Sequence, residues 1–334
     1  VNRIFPLLLV LPLLGGCIDL FESIWFNPVP LDAYEPWAHN DVPETHWELV
    51  ALPGTAVEGE DEAPEIWGVW AHQCLDQTGP CDAGEPDCDC VTPDFPEFVA
   101  ANQSRVIVYF HGNGGQLGGY WDRIQILWRM GFAVFAIDYR GFGRSSGEPS
   151  EAGIYADART AATHVKERLV LHDPSLLGAD DALPTASRAA LTYYGFSLGS
   201  TAAIDLAIED SPRAVITEGA LAGAQAFLDD AAGIGLSSTV LMDTRFDNLT
   251  KIKSVLAPKL LTHGQADDFV RFEFSQLLFE AARDPKELYA VPLADHGNVP
   301  CPTRDDTVPS IEEPCIASAA WLERVQPFVD EHVP

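Results

Sequence analysis

Gly195-Phe196-Ser197-Leu198-Gly199 sets a serine between two glycines at a spacing suited to nucleophilic catalysis. A serine hydroxyl attacks a carbonyl only when a base takes its proton, and an imidazole base needs an acid to fix its tautomer. Both partner types occur downstream in the chain. His263-Gly264-Gln265-Ala266-Asp267-Asp268-Phe269-Val270 comes after one strand-like run, and Asp295-His296-Gly297-Asn298 comes after the last. Of nine histidines, His296 alone sits on a glycine-flanked loop after the final strand pattern, which makes it the candidate base. Three carboxylates compete for the role of acid: Asp267, Asp268 and Glu218. Hydroxyl, imidazole and carboxylate in this order point to acyl transfer.

These residues need elements to hold them. From residue 105 onward, strand-like and helix-like runs alternate: strand 105–110, helix 120–130, strand 132–137, helix 151–169, strand 189–194 and helix 200–208. Strands 214–217 and 259–262, helix 272–283, strand 287–291 and helix 317–328 complete the series. Parallel strands need crossovers, so the alternation predicts an α/β fold, a mostly parallel sheet with helices on both faces. Reactive residues in such sheets lie on loops beyond the carboxyl ends of the strands, where every candidate above falls. The elbow glycines permit a tight strand-to-helix turn, and the helix start behind Ser197 presents backbone amides to developing negative charge. Upstream, the β-prone runs 45–52 and 66–72 flank an acidic turn at 58–64, which predicts a hairpin.

Three stretches resemble motifs of the α/β-hydrolase superfamily: His111-Gly112-Asn113-Gly114-Gly115, the run Asp138-Tyr139-Arg140-Gly141-Phe142-Gly143-Arg144-Ser145-Ser146-Gly147, and the serine elbow. The branch most similar is the short-capped, membrane-associated group of serine hydrolases related to protein depalmitoylases and lysophospholipases. Phe246-Asp247-Asn248-Leu249 is similar to that branch too, and the likeness covers residues 105–296. The resemblance implies the α/β-hydrolase fold, with the backbone amides of Asn113 and Leu198 as oxyanion-hole donors. It implies a structural His111, and it favours Asp267, which stands four residues beyond His263 where the family motif has its acid. Glu218 stays open as an acid at the end of the preceding strand. The family's Val-Pro after the acid is replaced by Val270-Arg271, and an insert at 171–187 is longer than the fold requires. Residues 221–245, carrying Phe227, Ile234, Leu236, Val240 and Leu241, read as a short cap over an acyl pocket.

The implied activity is a serine hydrolase cleaving a carboxylic ester or thioester through an acyl-enzyme, with a small-molecule or lipid acyl substrate and no cofactor. The alternatives are a serine peptidase of the same fold and a non-catalytic, surface-binding lipoprotein. Serine at the elbow, rather than aspartate, argues against the dehalogenases and epoxide hydrolases of the superfamily. No Walker-type loop supports phosphoryl transfer.

Composition narrows the partners. Fifty acidic against twenty basic residues give a formal charge of −30, which repels phosphate backbones and argues against nucleic acid. Arg3 precedes an apolar run from residue 4 to residue 14, too short for a membrane-spanning helix of about twenty residues. The run ends in Leu14-Gly15-Gly16-Cys17, which resembles the lipobox of bacterial lipoproteins. That resemblance implies a signal peptide over 1–16, lipidation of Cys17, a membrane tether over 17–41 and a hydrolase domain over 42–334. It also implies a place in the bacterial cell envelope, facing the periplasm or the exterior. Without Cys17 six cysteines remain, an even number suited to an oxidising compartment. Cys74, Cys81, Cys88 and Cys90 fall in a proline- and aspartate-rich stretch at 73–96, read as a stapled loop, and Cys301 and Cys315 bracket an insert after His296. Three disulfides are expected. The first four cysteines lack the paired spacing of structural zinc sites, so no metal is expected.

Overall fold

A computed structural model describes residues 26–32, 34, 42, 46–72, 105–172, 191–224, 245–300 and 318–333, with strand backbone at 75–76 and 79–80. Eight strands form one sheet: β1 Trp47–Pro53, β2 Glu65–Ala71, β3 Val106–Phe110, β4 Ala133–Ile137, β5 Leu191–Phe196, β6 Ala214–Glu218, β7 Lys259–Gly264 and β8 Lys286–Val291. Their order is β8-β7-β6-β5-β3-β4-β2-β1. All neighbours from β8 to β4 run parallel, and β2 joins the sheet antiparallel to β4. The expected hairpin is present: β1 and β2 pair antiparallel from Trp47 opposite Ala71 to Pro53 opposite Glu65.

The continuous apolar run of β3 reflects burial on both faces. Val106, Val108 and Phe110 join one hydrophobic cluster, whereas Ile107 and Tyr109 join the other. The first cluster contains the inner faces of α2 (Glu151–His172), α3 (Gly199–Asp210) and α4 (Phe272–Ala281). The second contains those of α1 (Trp121–Arg129) and α5 (Ala319–His332). Helices therefore cover both faces, the α/β-hydrolase fold that the alternation and the motifs led us to expect. The closing helix runs a turn past its expected end at 328, because Val329 continues the buried stripe of Trp321, Val325 and Phe328.

The segment expected as a tether contributes to this fold. Asn27–Pro28 pairs parallel with Gly114–Gly115, the Val29 amide donates to the Gly115 carbonyl at 3.0 Å, and the Leu31 amide donates to that of Gly143 at 2.7 Å. Phe26 is buried edge-on against Phe246. At 26–32 and Tyr34 the chain is thus part of the folded body, bonded to its loops at Gly114–Gly115 and Gly143 and to Asp138. The expected signal peptide over 1–16, Cys17, Cys74, Cys81, Cys88, Cys90, Cys301 and Cys315 lie outside the described residues, as do 173–187 of the expected insert and 225–244 of the expected cap. Among the described residues no helix is long and apolar enough to cross a membrane.

Candidate active site

β5 leads directly into Ser197, whose backbone turns to φ +51°. A residue with a side chain enters this left-handed region at a cost of about 1–3 kcal/mol, so the surrounding structure must enforce it. The flanking glycines let it do so. A Cβ on Gly195 would lie 2.4 Å from the Gly199 carbonyl oxygen, and one on Gly199 would lie 2.0 Å from that of Phe110. Two bonds then pin the turn: the Ser197 amide donates to the Glu218 carbonyl at 2.8 Å, and the Ser200 hydroxyl donates to the Ser197 carbonyl at 2.6 Å. Only 4% of Ser197 is exposed.

The loops after β7 and β8 supply the partners. His296 Nε2 lies 3.0 Å from Ser197 Oγ, and His296 Nδ1 lies 2.7 Å from Asp267 Oδ2. An ionised carboxylate only accepts, so Nδ1 carries the proton and Nε2 is left to accept from the serine hydroxyl. Around the ring, Phe196 and Phe269 stand with centroids 5.1 and 5.0 Å away. The loop is tied locally: Asp295 accepts from the Gly297 amide at 2.8 Å, and Asn298 accepts from the Asp295 amide at 2.9 Å. Gly219, at φ +57°, passes so near that a Cβ there would sit 3.1 Å from His296 Cε1.

Asp267 has both oxygens engaged. Oδ1 accepts from the amides of Phe269 at 3.0 Å and Val270 at 2.8 Å, while Oδ2 receives His296 and also lies 3.1 Å from His263 Nε2. His263 is fully buried. Its Nε2 faces two acceptors, Asp267 and the Val270 carbonyl at 2.6 Å, so that nitrogen holds the ring proton. Its Nδ1, 2.6 Å from Ser275 Oγ, then accepts from the hydroxyl. Burial pushes the Asp267 carboxyl up, but hydrogen bonds from His263 and His296 outweigh it and hold the pKa at about 2. The group is a carboxylate at any pH where imidazole chemistry operates.

The rival acids lie elsewhere. Asp268 is exposed. Glu218, buried at the end of β6, accepts from Arg123 Nε and Nη2 at 3.0 and 2.7 Å and from the Tyr194 hydroxyl at 2.6 Å. Of the three carboxylates, Asp267 is the one the fold brings to His296. Asn113 follows β3, and Leu198 caps the start of α3. β3 and β5 are neighbours paired at Phe110 and Gly195, so both candidate oxyanion donors open on the same sheet edge as Ser197. The Asn113 loop is braced by the Tyr120 hydroxyl, which donates to the Gly114 carbonyl at 2.6 Å.

His111 is fully buried, stacked on Tyr120 at 5.0 Å, with Nδ1 donating to the Gly112 carbonyl at 2.7 Å. It holds the loop, as expected. Asp138 is buried behind the same loop, accepting from the Leu117 amide at 2.8 Å and from the Tyr34 hydroxyl. Sequence reasoning passed over Arg123, Gly219 and the second imidazole contact from His263. Among the described residues no group of three or more side chains is arranged to hold a metal ion.

Comparison with known proteins bears on the fold. The family described as "Serine aminopeptidase, S33" matches residues 101–232. The chain is 27% identical to the uncharacterised protein YfhR of Escherichia coli K12 over 304 residues, covering 88% of each chain. It is 28% identical to the alpha/beta hydrolase domain-containing protein 17B of Homo sapiens over 202 residues, covering 59% of this chain and 62% of that one. Among solved structures, the Pyrococcus furiosus esterase Pf2001 superposes with a TM-score of 0.56 at 18% identity, over 92% of this chain and all of that one. An esterase domain from Rhodothermus marinus superposes with a TM-score of 0.51 at 17% identity, over 86% of this chain and all of that one.

Proposed function

We propose that this member of the α/β-hydrolase superfamily is a serine hydrolase that cleaves a carboxylic ester or thioester through an acyl-enzyme on Ser197. The observation that carries the reading is the relay of contacts, 3.0 Å from Ser197 to His296 and 2.7 Å from His296 to Asp267, on a strained serine turn at a helix start. In the reaction His296 Nε2 takes the Ser197 proton as Oγ bonds to the acyl carbon. The carbonyl oxygen becomes an oxyanion that accepts from the amides of Asn113 and Leu198. Collapse breaks the bond to the alcohol or thiol, which leaves with the proton from the imidazolium. Water, deprotonated by the same imidazole, then releases the acid. Asp267 keeps Nδ1 protonated and stabilises the imidazolium, and itself stays ionised.

The acyl preference is argued from the mouth of the site. Phe269, beside His296, is 56% exposed, and Leu293, on the approach to the same loop, is 85% exposed. Partly exposed apolar side chains beside a reacting centre favour a substrate that carries an apolar portion. The same reading takes Cys17 as the site of lipid attachment, which would hold the domain at a membrane surface where acyl chains are plentiful.

A peptidase reading is suggested by the description of the matching family. Two measurements separate the cases. Turnover of p-nitrophenyl esters rising with acyl length, with aminoacyl amides inert, supports the proposal. Faster release from amides bearing a free amino terminus would replace it with the peptidase.

A further inference from the structure

Arg123 lies on α1, away from the reacting atoms, yet it touches three groups that surround the candidate base. It clamps Glu218 through Nε and Nη2, at 3.0 and 2.7 Å to Oε1. The same Nη2 donates to the carbonyl of Gly297, the residue after His296, at 2.8 Å. Its guanidinium carbon stands 4.0 Å above the Phe196 ring, and Phe196 in turn flanks the His296 imidazole. Arg123 is nearly fully buried, and Glu218 is completely so.

We infer that Arg123 is a positioning residue for the reaction proposed above, fixing His296 through the Gly297 carbonyl and the Phe196 ring, with Glu218 holding the guanidinium in place. The inference rests on the serine-hydrolase reading. A buried guanidinium without a carboxylate would be very costly, and this fold supplies one at the strand end that adjoins Gly219. Glu218 thereby occupies an acid position of the fold without reaching the imidazole. The planar fork explains the residue type: the donors that clamp Glu218 and the one that reaches Gly297 belong to one rigid plane. A lysine ammonium can neutralise Glu218 but cannot hold that plane over Phe196.

The effect belongs on the chemical step. His296 must sit within hydrogen-bond reach of Ser197 and Asp267 together, and a displacement near 1 Å costs about 100-fold in rate. Substrate binding is expected to change little, since the contacts of Arg123 are to the strand ends behind Ser197 and to the His296 loop.

The test compares Arg123→Lys, Arg123→Met and the parent on a p-nitrophenyl ester, with active sites counted by a fluorophosphonate and folding checked by near-UV circular dichroism and thermal midpoint. Arg123→Lys retains the buried charge and is expected to fold. It should lose about 10- to 100-fold in kcat per folded molecule with KM within about twofold of the parent, and Arg123→Met, where it folds, should lose at least as much. A folded Arg123→Lys with parental kcat, or with its loss confined to KM, overturns the inference. A lowered thermal midpoint with unchanged kcat also overturns it, since the residue is then structural only. Ser197→Ala serves as the control: if it still turns over, the serine mechanism fails, whatever the Arg123 variants do.

Discussion

Asp267→Asn replaces one oxygen of a carboxylate by an amide nitrogen of nearly equal size, and the contacts of Asp267 set the consequence. The side-chain carbonyl can keep the Oδ1 bonds from the Phe269 and Val270 amides, at 3.0 and 2.8 Å. The new NH2 then lies where Oδ2 received protons from His296 Nδ1 at 2.7 Å and His263 Nε2 at 3.1 Å. Donor would face donor. His296 escapes by moving its proton to Nε2, leaving a donor 3.0 Å from Ser197 Oγ where an acceptor is needed. A wrong tautomer costs about 10⁴-fold in kcat, which is about 5.5 kcal/mol of transition-state stabilisation. Glu218→Gln gives the contrast, since that side chain meets Arg123 and Tyr194 and reaches no imidazole. Its kcat should fall by no more than about 100-fold, through Arg123 alone. The assay is steady-state hydrolysis of a p-nitrophenyl ester, normalised to folded protein. A loss below tenfold for Asp267→Asn, or a larger loss for Glu218→Gln, would refute the assignment of the acid.

Other expected outcomes are as direct. Gly219→Ala sets a methyl 3.1 Å from His296 Cε1 at a backbone φ of +57°, so kcat should drop at least tenfold with a lower thermal midpoint, measured on the same ester. Asp267 has a folded pKa of about 2 against an ordinary 3.8, so the stability it confers is complete above about pH 5 and lost as pH falls towards 2. Urea unfolding of Asp267→Asn should therefore show a flatter stability curve across pH 4 to 2 than the parent. Val29→Pro deletes the amide that bonds the Gly115 carbonyl beside the Asn113 loop. Such a bond contributes about 1 kcal/mol to stability, so the urea-unfolding free energy should fall by about that much, and an unchanged value would show that the N-terminal segment does not stabilise the fold.

The parts of the chain that proved readable are those where one local rule decides. β3 is apolar at every position because both faces are covered, and Gly195 and Gly199 mark a turn that nothing larger fits. Ser197, Asp267 and His296 could be ordered along the chain because each follows a strand in a parallel sheet, so their loops share an edge. The choice between Asp267 and Glu218 was less accessible, because both follow strands. What separates them is Arg123, 95 residues away from Glu218 in sequence, whose contacts exist only once α1 has docked on its face of the sheet. His263 carried a motif spacing but no sign that its Nε2 would reach the same oxygen as His296. Residues 26–32 fall within the stretch 17–41 expected as a tether, because proline and aromatic residues leave no periodic pattern. Their bonds are made to loops more than eighty residues downstream, which no local signal encodes.

The central claim is that Ser197 is an activated nucleophile, and covalent labelling tests it most directly. The full-length protein is treated with a fluorophosphonate, digested and mapped by mass spectrometry, alongside Ser197→Ala and His296→Ala. The account predicts one adduct, on the peptide carrying Ser197, absent from Ser197→Ala and slowed by at least about 10³-fold in His296→Ala. A folded parent that takes no label, or an adduct on a residue other than Ser197, would contradict it.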